Sequence, residues 1–253
     1  MALVGTGGRR PVRPGNWREV RLDLATPSTV REIVERERPG AVFYCAYDKS
    51  NPTITVDAAV AAARAAYGLG ARFVLFSSDL VFDGETGGYT EHATASPISA
   101  YGEMKVAAEA LVRAEHAGAV VIRTSLLVGE SGTMLRPSHE CDSLVRGQSV
   151  ALYRDEWRSP TLADDVARAS WELCALEVSG VFHVAGAERL TRVELGHLLC
   201  DLYRFDHALI RETDRPRSRP RDTSLDSRRV AALLGWAPRG LSHLIGPPAR
   251  ARA

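Results

Sequence analysis

The stretch ARFVLFSSDLVFDG, residues 71–84, decides the fold class of this 253-residue chain. It is a short apolar run that ends in two serines and then turns at Asp83 and Gly84. Apolar runs of this length, without polar alternation, are typical of parallel strands that are buried on both faces. Open α/β sheets bind their ligands at the carboxyl ends of such strands, so the serine pair marks the expected site.

The same alternation of short apolar runs and longer helical segments extends in both directions from this stretch. Strands are predicted over residues 2–6, 19–22, 41–46, 72–77, 120–125 and 181–184. Helical periodicity covers residues 27–37, 55–69, 100–115, 164–176, 191–203 and 226–234. Because most strands are followed by a helix, the pattern predicts the α/β class with a Rossmann-like, doubly wound parallel sheet.

The alternation loosens after Gly129, which divides the chain into two parts. We expect a Rossmann-like domain over residues 1–128 and a smaller C-terminal lobe over residues 129–253. Residues 161–184 regain the strand-and-helix pattern, so we expect them to return to the Rossmann core.

Charge and cysteine usage narrow the functional classes. The formal net charge is +1 and the sequence pI is about 7.8, so no nucleic-acid or anionic-membrane partner is expected. The four cysteines, at positions 45, 141, 174 and 200, form no CxxC pair, and no metal site is predicted. No segment approaches the roughly 20 apolar residues of a membrane span, and we expect a cytoplasmic protein with reduced thiols.

A second stretch, SAYGEMKVAAEALV at residues 99–112, carries reactive groups at the start of a predicted helix. Tyr101 and Lys105 are four residues apart, so both project from one helical face. An ammonium about 4 Å from a phenolate contributes on the order of 4 kcal/mol at an effective dielectric of 20, or roughly three pKa units. Tyr101 could then protonate an alkoxide as a hydride reaches a ketone, while Ser78 hydrogen-bonds the same oxygen.

Each of these parts also has an ordinary explanation. A serine pair at a strand end often caps a turn, and a Tyr and a Lys four residues apart occur by chance on exposed helices. The order of strand, two serines, FDG, proline and then YxxxK at a helix start is far more specific than any part of it. We therefore interpret Ser78, Tyr101 and Lys105 as one catalytic set.

With these motifs in hand, the chain resembles dTDP-4-dehydrorhamnose reductase and its relatives among the extended short-chain dehydrogenases/reductases. The resemblance begins with SSDLVFDG, YTE, SP and YGEMK, followed by Glu109. It continues through VIRTSLLVG, DEWRSPTLADDVARA, GVFHVAGAERLTRVELGHLL and RPRSRPRDTSLDSRRVAALLGW, and thus covers nearly the whole chain. It implies that residues 1–128 bind NADP(H), that residues 129–253 bind a nucleotide-linked sugar, and that Lys105 also holds the nicotinamide ribose.

The resemblance also suggests secondary positions in the site. For the substrate these are Asp79, Trp157, Arg158, Arg217 and Arg219, of which the last two could pair with a diphosphate or form a solvated basic loop. For the cofactor they are Asp23, near the adenine or simply a loop residue, and Cys45 and Ala46, in a small-residue turn.

Two departures from the family concern the substrate and the cofactor. Leu80 and Leu126 stand where those reductases usually carry Tyr and Trp, which leaves the identity of the sugar open. The glycine-rich turn that opens the first helix of the fold has no counterpart, because Gly5–Gly8 leads into Pro11 and Pro14 rather than into a helix.

We therefore interpret ALVGT as the second strand of the fold and expect the first strand and its glycine loop to be missing. On this interpretation, Arg9 and Arg10 would meet the adenosine 2′-phosphate of NADP, or form a solvated turn. We further expect ALVGT to move into the central slot of the sheet, and the chain to bind NADPH poorly.

The leading hypothesis is an NADPH-dependent reductase of a nucleotide-linked 4-keto-6-deoxysugar. The alternatives are a sugar-nucleotide epimerase or dehydratase of the same superfamily, and a non-catalytic regulatory or binding protein on this scaffold. A homodimer is left open.

Overall fold

The computed structural model of the protein describes residues 3–7, 17–129 and 143–244. In chain order the strands are β1 (Val4–Gly7), β2 (Arg18–Arg21), β3 (Ala41–Tyr44), β4 (Arg72–Phe76), β5 (Val120–Arg123), β6 (Leu127–Val128), β7 (Val150–Tyr153), β8 (Trp157–Arg158), β9 (Thr161–Leu162), β10 (Gly180–His183), β11 (Leu190–Thr191) and β12 (Ile210–Thr213). The helices are α1 (Pro27–Glu37), α2 (Ala58–Gly68), α3 (Ala100–Glu115), α4 (Ala163–Ala175), α5 (Arg192–Tyr203) and α6 (Arg228–Leu234).

The main sheet contains four parallel strands in the order β10, β5, β4 and β3. Its register pairs Val42 with Phe73 and Val74 with Val120. Helices cover both faces, as an all-parallel sheet requires. The predicted α/β class with a Rossmann-like parallel sheet is confirmed. Residues 180–183 lie in this sheet beside β5, while the proposed domain boundary at residues 128–129 stays a prediction.

Local sequence signals fix the ends of the helices near the site. Pro27 stands at the start of α1, where its fixed φ favours the helix and its missing N–H costs nothing. The hydroxyl of Ser99 caps α3 by accepting a hydrogen bond from the backbone N–H of Gly102. Both helices have the bounds that the periodicity predicts.

Two apolar layers hold the helices to the sheet. On one face, α2 presents six buried alanines, whose small side chains let the helix approach Phe73 and Leu75 of β4 closely. On the other face, α4 packs Val166 and Leu173 against Val74. Full burial of a side chain of this kind contributes about 1.5–3 kcal/mol, so these layers fix the strand ends that carry the site.

The first two strands do not join the main sheet. β1 pairs in parallel with β2, and within the described residues β3 pairs only with β4. The expectation that ALVGT moves into the central slot is therefore wrong. A central strand is buried on both faces and needs a continuous apolar run, whereas Val4 is 40% exposed and its neighbours in β1 are two glycines and a threonine.

The sequence pattern missed three short strand pairs that lie after residue 126. β6 pairs with β9, β7 with β12 and β8 with β11. This part of the chain contacts the loop that follows Ser77 and Ser78, since the backbone N–H of Asp222 donates to the carbonyl of Gly84. Gly84 and Gly87 both have positive φ, and a Cβ on Gly87 would lie 2.1 Å from the Asp222 carboxylate. Asp222 therefore packs directly against the backbone of Gly84 and Gly87.

Within the described ranges, none of the helices is long and apolar enough to cross a membrane.

Candidate active site

Ser78 lies directly after β4 and caps a short 3₁₀ turn, Asp79–Val81. Its hydroxyl oxygen accepts a hydrogen bond from the backbone N–H of Leu80 at 3.2 Å and donates to Asp79 Oδ1 at 3.2 Å. Both contacts are long for hydrogen bonds, so the hydroxyl can exchange them for a shorter one. This places a mobile donor at the carboxyl edge of the sheet.

Ser77 is held differently. Its backbone N–H donates to the carbonyl of Ile122, and its hydroxyl donates to the carboxylate of Glu109. Arg123 binds the same carboxylate through two nitrogens, at 2.6 and 3.0 Å. Charge-assisted pairs of this kind are strong, so Ser77 serves a buried network that joins α3 to the sheet.

A close backbone contact brings α3 to the serine turn. A Cβ on Gly102 would lie 2.2 Å from the carbonyl oxygen of Leu80 and 2.7 Å from Cβ of Pro97. Only glycine leaves room for this approach. Because Gly102 follows Tyr101 directly, the contact sets the start of α3, and with it Tyr101, against the turn that carries Ser78.

Lys105 is buried, and its ammonium lies beside two tyrosine rings. The side chain is 2% exposed, and its ammonium donates to the carbonyl oxygen of Phe76 at 2.9 Å. Nζ lies 5.8 Å from the ring centroid of Tyr101 and 5.2 Å from that of Tyr47. Burial lowers the pKa of Lys105 to about 8, although the carboxylate of Glu109 partly opposes this effect.

Two residues of this cluster escaped the sequence prediction. Tyr47 and Lys49 lie on the loop after β3, where the ring of Tyr47 is 5.5 Å from that of Tyr101 and Lys49 Nζ is 5.9 Å from the Tyr101 centroid. The only available signal was their place after a buried strand, at the same sheet edge as the serines.

Asp79 and Arg158, both predicted to contact substrate, pair with each other. The carboxylate of Asp79 is fully buried and accepts two hydrogen bonds of 2.6 Å from Arg158. Ser125 and Thr223 donate to the same carboxylate at 2.6 and 3.3 Å. The acceptor capacity of Asp79 is therefore used within the protein, and its contact with a substrate stays a prediction.

Arg219 and Glu156 extend the network of buried ion pairs that begins with Asp79 and Arg158. Arg219 binds Glu156 through two hydrogen bonds of 2.6 and 2.8 Å, and Glu156 lies 3.5 Å from Arg158. Burial alone would raise the pKa of Glu156, but the hydrogen bond from Arg219 and the nearby guanidinium charges outweigh it and lower the pKa. Arg217 is exposed, and the guanidinium groups of Arg189 and Arg221 lie 4.6 and 5.6 Å from the ring centroid of Trp157.

The predicted cofactor residues fall into two groups. Cys45 and Ala46 follow β3 at its carboxyl end, while Asp23 follows β2 and accepts a hydrogen bond from the backbone N–H of Ala25. Arg9 and Arg10 lie outside the described residues.

The residues fit a nicotinamide nucleotide at one end only. Lys105 lies beside the ring of Tyr101, and Gly102 packs against the turn that carries Ser78, so these are the residues that would face a nicotinamide riboside. A strand, a glycine-rich turn and a helix N-terminus, the unit that binds pyrophosphate in such folds, do not occur in that order within residues 3–7, 17–129 and 143–244. In the same ranges, no group of three His, Cys, Asp or Glu side chains could hold a metal ion.

Comparison with known proteins identifies relatives along the whole described chain. A family model for the RmlD substrate binding domain matches residues 12–244. A probable low-salt glycan biosynthesis reductase of Haloferax volcanii is 35% identical over 173 residues, which are 64% of this chain and 58% of that protein. Methionine adenosyltransferase 2 subunit beta of Bos taurus is 28% identical over 252 residues, covering 91% of this chain and 74% of that protein.

Solved structures show the same fold. The dTDP-4-dehydrorhamnose reductase of Bacillus anthracis, crystallised in complex with NADP, superimposes with a TM-score of 0.79 at 21% identity. The superposition covers 92% of this chain and 90% of that one. At this identity the likeness concerns the fold.

Proposed function

Because this chain belongs to the RmlD substrate-binding domain family, we propose that it is an NADPH-dependent reductase of a nucleotide-linked 4-keto-6-deoxysugar. One observation supports this above the others: a buried lysine ammonium, 5.8 Å from the ring centroid of Tyr101, donates to the carbonyl oxygen of Phe76, two residues before Ser78. This arrangement suits proton transfer to a carbonyl oxygen. The reductase from Haloferax volcanii and the dTDP-4-dehydrorhamnose reductase structure agree with this chemistry.

The residues divide the reaction between them. NADPH, when bound, would supply a hydride for the carbonyl carbon. The phenol of Tyr101 donates its proton to the carbonyl oxygen, so that the ketone becomes an alcohol and Tyr101 becomes a phenolate. The hydroxyl of Ser78 turns from Asp79 and donates a hydrogen bond to the same oxygen, which stabilises the charge that develops there.

Lys105 supports the phenolate and would hold the nicotinamide ribose. Its pKa of about 8 means that the ammonium predominates at neutral pH and is lost as the pH rises through 8. The phenolate then loses a nearby positive charge. Turnover that depends on this charge should therefore fall above about pH 8.

For the substrate, we propose that Arg217 and Arg219 meet the diphosphate and that Trp157 flanks the pocket. Arg217 is exposed and available to an anion. Arg219 already binds the buried Glu156, so a diphosphate would have to share its guanidinium or displace that contact. NADPH, with Arg9 and Arg10 at its 2′-phosphate, stays part of the proposal.

The test compares turnover in matched variants, with NADPH consumption followed at high cofactor concentration and a nucleotide-linked 4-keto-6-deoxysugar as substrate. Tyr101→Phe should remove most turnover while binding of the nucleotide sugar is retained. Ser78→Ala should cost about 10- to 1000-fold, the range for losing one positioned donor, and Ser77→Ala should cost less. Wild-type turnover in the Tyr101→Phe variant would refute the assignment.

A second candidate is a non-catalytic binding protein. It is favoured by the similarity to methionine adenosyltransferase 2 subunit beta over 91% of this chain, and by the missing pyrophosphate unit within the described residues. Calorimetric titration with NADPH separates the candidates in combination with the turnover assay. Weak binding with Tyr101-dependent turnover supports the reductase, whereas nucleotide-sugar binding without turnover at any NADPH concentration supports the second candidate.

A further inference from the structure

Tyr101 has two lysine ammonium groups over its ring. Lys105 Nζ lies 5.8 Å from the ring centroid and Lys49 Nζ lies 5.9 Å from it. The two lysines come from different elements, one from α3 and the other from the loop after β3. Tyr47, from the same loop, contacts both the ring of Tyr101 and the ammonium of Lys105. The loop is therefore an integral part of the cluster around the phenol.

The carboxylates around this cluster are engaged elsewhere. Asp79 is bound by Arg158, and Glu109 is bound by Arg123. Asp48, between Tyr47 and Lys49 in the chain, accepts hydrogen bonds from the backbone and hydroxyl of Ser50, at 2.9 and 2.8 Å. Each of these three carboxylates therefore already has a partner of its own within the protein.

The two lysines differ in burial. Lys105 is buried, and burial lowers its pKa to about 8. Lys49 is exposed on the loop after β3, with its Nζ 5.9 Å from the centroid of the Tyr101 ring. The phenol therefore has one buried and one exposed ammonium group beside it.

We propose that Lys49 is a positioning residue of this site, which acts through Tyr101 by stabilising its phenolate together with Lys105. The role of Lys49 in a reduction rests on the proposed function. Its effect on the ionisation of Tyr101 does not, and it can be measured without cofactor or substrate. The distance from Lys49 Nζ to the centroid of the Tyr101 ring is 5.9 Å. Coulomb attraction over that distance changes the midpoint of the Tyr101 titration by about 0.5 pH units in water and by about 2 at a dielectric of 20. An exposed lysine should act near the lower value.

The experiment is a spectrophotometric titration of phenolate absorbance in the purified chain. The protein has seven tyrosines, so each titration is repeated with Tyr101→Phe added, and the difference curve reports Tyr101 alone. In Lys49→Met, the midpoint of that curve should rise by about 0.5 to 1 pH unit relative to the wild type. Salt at about 1 M should remove most of this rise, because the Debye length falls to about 3 Å.

Two variants serve as controls. Lys49→Arg keeps the charge and should leave the midpoint in place. Arg113→Met removes one exposed positive charge about 18 Å further along α3 and should also leave it in place. An equal midpoint in Lys49→Met and wild type overturns the proposal, and so does an equal rise in Lys49→Met and Lys49→Arg, since charge would then not be the cause. Either result leaves the Tyr101→Phe turnover test of the reductase unaffected.

Discussion

Replacing Lys105 by Met should make the protein more stable at neutral pH, and the gain should shrink in alkali. Burial lowers the pKa of Lys105 from about 10.5 to about 8, so between these values the unfolded chain binds more protons than the folded one. Stability contributed by this group therefore rises with pH through that window. At pH 7 the folded protein bears the full cost of the buried charge, about 3 kcal/mol at 1.36 kcal/mol per pKa unit.

The comparison between pH 7 and pH 10 isolates this cost. At pH 10 the folded-state amine is almost wholly neutral, and only about 1 kcal/mol of the cost remains. The difference in unfolding free energy between Lys105→Met and wild type should thus change by about 2 kcal/mol between the two values. Contacts that Met makes or loses affect both measurements equally, so they cancel in this comparison.

Denaturant-induced unfolding of both proteins at pH 7 and pH 10 provides the measurement. The result that refutes the reasoning is a stability difference that stays the same at both values. Such a result would mean that the ammonium is as well solvated in the fold as in the unfolded chain. The burial of Lys105 would then have no electrostatic consequence for Tyr101.

Two further perturbations test the frame of the site, both by denaturant unfolding. Asp79→Asn should destabilise the protein by about 3–5 kcal/mol, because it leaves the buried guanidinium of Arg158 without its carboxylate. The control variant Glu115→Gln breaks an exposed ion pair and should cost less than about 1 kcal/mol. Equal losses of stability in the two variants would contradict the buried pairing. Gly102→Ala should lower the unfolding free energy by about 1–3 kcal/mol, because the added methyl group would overlap the carbonyl of Leu80. The control variant Gly68→Ala, where no atom lies within 4 Å of the added methyl group, should be neutral or stabilising. Unchanged stability in Gly102→Ala would show that this contact does not fix the start of α3.

The sequence predicts the main elements because their signals are local. Pro27 and the Ser99 cap define the starts of α1 and α3, and the continuous apolar run before Ser77 defines β4. These signals act within a few residues, so periodicity and capping rules find them. The strands that pair after residue 126 contain only two to four residues each, which is too short for an alternating pattern to be recognised.

The contacts that shape the site are long-range, and the sequence could not predict them. Asp79 and Arg158 were both assigned to the substrate, and nothing local indicates that they bind one another. Tyr47 and Lys49 lie on a loop without a motif, and only the folded sheet brings them to Tyr101. The prediction that ALVGT becomes a central strand is wrong because this segment lacks the continuous apolar run that burial on both faces requires.

The hydrogen bonds of Asp79 also bear on the order in which the protein folds. Its partners Ser125, Arg158 and Thr223 are 46, 79 and 144 residues away along the chain. Closing loops of such length costs entropy before any contact repays it, so contacts of this kind form late. We therefore expect the turn that carries Ser78 to reach its final geometry late in folding, once these distant segments are in place, and a chain whose C-terminal half is misassembled to lack the serine geometry as well.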